Sequence, residues 1–65
     1  MNIESLNLTV DQVAVFLGLS RRSIYREIGL GRIESFKARG RRLIPRDAAE
    51  RWNAERRQEA QEPAA

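Results

Sequence analysis

The sequence predicts a mainly helical domain carrying one small β-hairpin. Three observations lead there. Two short amphipathic segments are separated by a glycine-containing turn, the hydrophobic period changes after Gly31, and Pro45 closes the second β-compatible run just before a third helical segment.

The first helix begins at Thr9. Its hydroxyl is a good N-cap, Gln12 three residues on completes a capping box, and Leu8 and Val13 occupy the positions of a hydrophobic staple. Val10, Val13, Ala14 and Leu17 recur at i, i+3, i+4, i+7, a single apolar stripe. Gly18 supplies the left-handed residue that stops this helix. Ser20 caps the next helix only two residues later, which leaves no room for an extended antiparallel pair. That second helix is expected to run from Ser20 to about Leu30 and to end at Gly31, with Ile24 and Ile28 one turn apart as its core anchors. Arg22, Arg26 and Gly29 fall opposite the buried line, and Ser23 lies on one flank. Arg21 lies nearer the buried side and is expected to swing toward a backbone phosphate rather than a base. Tyr25 lies on the other flank, where its hydroxyl reaches a phosphate or its ring packs beside Ile28. A helix, a glycine-containing turn and a second helix opening on two arginines is the pattern of a helix-turn-helix that reads DNA.

Beyond Gly31, the runs Ile33–Ala38 and Arg42–Ile44 are candidate strands around a three-residue loop, Arg39-Gly40-Arg41. Lys37, Arg39, Arg41 and Arg42 crowd the hairpin tip around Gly40 with almost no apolar cover. A wing against the DNA backbone or minor groove explains them, the alternative being an ordinary solvated turn. Cations at this density repel one another unless a polyanion is near. Phe36 is the expected anchor pinning the hairpin to the core. Pro45 ends the second strand and presets φ for a helix, and Asp47 favours a helix N-terminus. Ala49 and Trp52 form an inward i, i+3 pair, with Trp52 closing the core rather than stacking on a base. From Asn53 the composition is helix-forming but has no hydrophobic stripe, so the helix is expected to run a turn or two further and fray before Pro63. The expected organisation is an N-terminal extension over 1–5, a winged domain over 6–53 and a charged tail over 54–65, partly helical or disordered.

Size and charge narrow the chemistry. Sixty-five residues, 42% of them apolar, support one small core but no buried catalytic cleft. With no cysteine and no histidine, disulfides and the usual zinc ligand sets are excluded, and general-base catalysis finds no obvious residue. No cofactor, no metal and no enzymatic activity are therefore expected. The first residues lack the features of a signal peptide, and no run approaches the ~20 apolar residues of a membrane span, so a cytoplasmic protein without membrane contact is expected. The net charge of +3 conceals a segregation. Residues 21–46 hold nine basic residues against Glu27 and Glu34, a balance of +7, whereas the segments on either side are each −2. A central basic block suits a polyanion better than an evenly mixed surface does. Eleven of the twelve basic residues are arginine, which offers the bidentate fork to guanine or phosphate.

The succession helix-turn-helix, basic hairpin, Ile44-Pro45 and third helix resembles the excisionase branch of the MerR-like winged helix-turn-helix family. The likeness rests on Leu8-Thr9-Val10, Leu17 through Arg26, Gly31-Arg32-Ile33, Phe36-Lys37 and Ile44-Pro45-Arg46 through Trp52. It implies that Ser20–Leu30 enters the major groove and that Lys37–Arg42 forms a wing against the neighbouring minor groove. It further implies an accessory factor that binds and bends attachment-site DNA and turns an integrase from insertion to excision. The sequence departs from the family at Arg42, near which an aromatic is usual, and at Ala49, where a bulky aliphatic is usual, which implies a thinner core under the wing. Val15 stands where a charged residue is usual, an exposed apolar spot suited to DNA-dependent self-association. The short stretch after Trp52 does not match the long coiled coil and effector domain of MerR regulators. A minimal transcription regulator is the alternative, and an adaptor for an acidic protein partner a third.

Overall fold

Thr9 is the last residue of a short strand and the cap of the helix that follows it. In the computed structural model, which describes residues 6–61, β1 (Asn7–Thr9) runs straight into α1 (Val10–Leu17). The Gln12 amide donates to Thr9 Oγ1 at 3.1 Å and the Thr9 amide donates to Gln12 Oε1 at 2.9 Å, so the capping box is closed in both directions. Gly18 follows with φ of 71°, and the amides of Gly18 and Leu19 return to the carbonyls of Val15 and Ala14. α2 (Arg21–Gly29) is capped by Ser20, whose Oγ accepts from the Ser23 amide at 3.1 Å. It ends as α1 does: Gly31 has φ of 77°, and the amides of Gly31 and Arg32 return to Ile28 and Glu27. Both closures are Schellman motifs, whose left-handed residue is glycine because a Cβ there crowds the backbone.

β2 (Phe36–Ala38) and β3 (Arg41–Pro45) form the expected hairpin, but the sheet has a third strand. β1 pairs antiparallel with the other side of β3, giving the order β1-β3-β2 with Leu8 opposite Ile44. The hairpin is tighter than its sequence suggests. Ala38 pairs with Arg41, so the loop is only Arg39-Gly40, with φ of 53° and 75°. Two positive φ values mark a type I′ turn, whose twist matches the strands better than a three-residue loop here would. The first hairpin strand begins at Phe36 rather than Ile33, and the second extends one residue beyond each end of Arg42–Ile44.

This register corrects the expectation for Phe36. Directly paired residues share a face, and Phe36 is opposite Leu43, whose neighbour Ile44 points into the core. Phe36 therefore stands on the outer face and is 40% exposed. Ile33, in the bend before β2, is buried and does the anchoring instead.

Val13, Ile24 and Ile44, one from each of α1, α2 and β3, are the largest fully buried side chains. Leu8, Val10 and Ala14 pack around them, and Leu17, Leu19 and Ile28 close the margin. α3 (Arg46–Gln61) starts directly after Pro45, and the Arg46 amide donates to the Leu6 carbonyl at 2.8 Å. It contributes Ala48 and Ala49, small enough to bring the helix backbone close, and then half-buried Trp52. The helix continues through Gln61, further than a turn or two past Asn53. Arg46–Glu50 and Arg51–Asp47 pair along its first half, and Arg56–Glu59 supports the stretch beyond Asn53, which has no apolar stripe. The expected extension over 1–5 and the stop at Pro63 lie outside the described residues. Among the described residues, no helix is long and apolar enough to cross a membrane.

Candidate nucleic-acid interface

The Ser20 cap fixes where α2 starts and therefore which of its residues face outward. Ser20 Oγ, besides accepting from the Ser23 amide, donates to Ser23 Oγ at 3.1 Å, so the two serines are first of all partners of each other. Ile24 is fully buried and Ile28 packs against the core, which turns Arg22, Arg26 and Gly29 outward as the helical period requires. Neither Arg22 nor Arg26 has an ion pair or side-chain hydrogen bond with a described residue. Tyr25 is 46% exposed and stands outside the core cluster.

Arg21 lies on the side of α2 that faces α1, as helical phase indicates. It is well exposed, and its guanidinium forms an ion pair with Asp11 across the turn between the helices, Nε lying 2.7 Å from Oδ1. Its resting place is thus against the first turn of α1 rather than free in solvent.

In the wing, Lys37, Arg39, Gly40 and Arg41 are all exposed, and none of the three cations forms an ion pair with a described residue. Lys37 is directly opposite Arg42 on the same face, a like-charge pair that by itself weakens the hairpin. Arg42 is half-buried, and its Nη1 donates to Ser35 Oγ at 2.7 Å, so it is held at the base of the wing. Asp11, Arg21, Tyr25, Gly40, Arg41 and Arg42 border one shallow groove of about 230 Å³. Arg22, Arg26, Lys37 and Arg39 lie outside that groove.

Three participants were not singled out from the sequence. Asp11 and Ser35 orient arginines from other elements, and Glu27 joins α2 to α3 by accepting from Trp52 Nε1 at 2.9 Å. Glu27 also pairs with Arg32 at 3.6 Å, and the Arg56 guanidinium lies 5.6 Å from the Trp52 ring centroid. With its N–H engaged and one ring face under Arg56, Trp52 is a packing residue, as its spacing from Ala49 indicates. The Glu27–Trp52 contact spans 25 positions and leaves no local signal. The reach from Asp11 to Arg21 follows from the tight turn, and an acid in the first turn of α1 was the available hint.

Residues 8–57 match the helix-turn-helix domain family. The span takes in both helices of the motif, the hairpin and most of α3, and the chain belongs to this family, a typically non-enzymatic class of DNA-binding domain. No curated protein and no solved structure matches it.

Proposed function

We propose that this protein is a sequence-specific DNA-bending accessory factor of the excisionase kind, which sets the direction of integrase-mediated recombination. The supporting observation is the shared groove between α2 and the wing tip. A helix in the major groove and a cationic turn beside it grip one side of the duplex together. Neutralising phosphates on that side, with the wing in the adjacent minor groove, favours bending toward the protein. In this reading Arg22 and Arg26 face base edges. Ser20, Ser23, Tyr25, Lys37, Arg39, Gly40, Arg41 and Arg42 line the backbone path.

Such a factor acts in several copies. No heptad runs along α3, so the free protein is expected to be a monomer that couples to its neighbours only when DNA aligns them. Val15, 84% exposed on the outer side of α1, is the proposed contact, with Phe16 beside it also exposed. Footprinting and bend-phasing gels on DNA flanking the integrase site test the proposal. Phased, bent, cooperatively filled sites, with excision stimulated in an integrase reaction, are the expected result. A single unbent operator and no effect on recombination would favour a transcription regulator instead. A stable dimer without DNA would overturn the assembly scheme, and Val15→Glu with intact cooperativity would remove Val15 from it.

A further inference from the structure

We infer that Asp11 is a positioning residue that aims Arg21 at a guanine, so that the two together read one base of the site. The inference rests on the proposed placement of α2 in the major groove and assigns Arg21 to base rather than backbone contact. Arg21 is the first residue of α2, at the end of a reading helix that meets base edges. Asp11 grips it through Nε. The two Nη groups, which have no hydrogen bond with a described residue, offer a parallel donor edge. That edge matches guanine O6 and N7.

Two further facts favour aiming over fold stability. The side chains of Arg21 and Asp11 are 65% and 72% exposed, and an ion pair so open to water adds little to stability. It does restrict a flexible side chain before binding, which lowers the entropy lost on contact. Arg22 and Arg26 have no such support, so Arg21 is the arginine of α2 held in advance. The acid is also misplaced for simple phosphate attraction. Asp11 borders a groove that it shares with Arg21, Arg41 and Arg42, where a carboxylate weakens the pull on any polyanion. Charge alone therefore predicts that removing Asp11 tightens binding to every duplex. Positioning predicts weaker binding to the site that carries the guanine.

The test is selection from a pool of randomised duplex DNA with the whole chain, comparing wild type, Arg21→Ala, Asp11→Ala and Asp11→Asn, each checked for an unchanged melting curve. Wild type is expected to enrich guanine at one position by on the order of tenfold. Arg21→Ala and Asp11→Ala lose that preference while the other positions stay as they were. Asp11→Asn, which keeps an acceptor for Nε, retains part of it, although it removes the same charge as Asp11→Ala. Adding Asp11→Ala to Arg21→Ala causes no further loss at that position. The inference is overturned if Asp11→Ala selects the same guanine as strongly as wild type, or if the alanine and asparagine variants select alike. A wild-type protein that enriches no sequence overturns the placement of α2 itself, a different failure.

Discussion

The two sides of this small domain use the same residue, arginine, in opposite ways. Along α3, Arg46, Arg51 and Arg56 each sit within one helical turn of a carboxylate and are paired with it. On the side made by α2 and the wing, Arg22, Arg26, Lys37, Arg39 and Arg41 have no described acidic partner. Pairing modestly stabilises a helix whose apolar contacts end at Trp52. Leaving cations unpaired, with Lys37 directly opposite Arg42, costs stability through repulsion and keeps their charge available to a polyanion. With the exception of the Asp11–Arg21 pair, the placement of acids, more than the number of bases, distinguishes the paired arginines of α3 from the unpaired cations of α2 and the wing.

Both sides hang on one core, so the largest effect comes from breaking it. Ile24→Ala removes a fully buried side chain at the junction of the helices and should cost about 2–5 kcal/mol in urea unfolding, enough to populate the unfolded state of so small a domain. If the domain tolerated it with less than about 1 kcal/mol lost, the core would not be the common support that the comparison assumes.

The supporting side can be weakened alone. Glu27→Ala leaves the half-buried Trp52 N–H without its acceptor and should lower stability by about 1–3 kcal/mol. Measured well below the melting temperature, the salt dependence of DNA binding should stay as it was. A changed salt slope would place Glu27 on the DNA side and blur the division.

The converse variants touch only the binding side. Arg22→Ala or Arg26→Ala should cost about 1–3 kcal/mol on the preferred site and relax one base position, with the melting temperature unmoved. Equal losses on specific and random DNA would reduce both residues to phosphate contacts.

What the sequence made legible was whatever is settled within a turn or so of chain. The Thr9–Gln12 box, the Ser20 cap and the stops at Gly18 and Gly31 each join residues a few positions apart, and each was readable from residue types alone. β1 was not, because Asn7–Thr9 is too short for any periodic signal and becomes a strand only through its pairing with β3. Phe36 was misplaced because the large apolar side chain of the run was taken as its anchor, whereas the pairing with Leu43 puts Phe36 on the outer face and leaves the anchoring to Ile33 in the bend before the strand. The candidate interface divides likewise. Helical phase placed Arg22 and Arg26 outward, while Arg21 took a position that depends on Asp11 from another helix.

The smallest expected effect separates stability from binding at a single residue. Arg39 has φ of 53°, the only described residue other than glycine in the left-handed region, where an ordinary side chain costs about 1–2 kcal/mol. Asn-Gly is the favoured pair for a type I′ turn, so Arg39-Gly40 retains a less stable residue at its first position. Arg39→Asn should therefore raise stability by about 0.5–1 kcal/mol, a shift of roughly 2–8 °C in melting temperature for a domain of this size. It should also remove one phosphate contact and reduce the log–log salt slope of DNA binding by about 0.9. The two readouts move in opposite directions only if the arginine is kept for its charge against the preference of the turn. A higher melting temperature with an unchanged salt slope would take the wing tip off the DNA. A lower one would mean that the Arg39 side chain supports the hairpin and that its backbone carries no strain worth relieving.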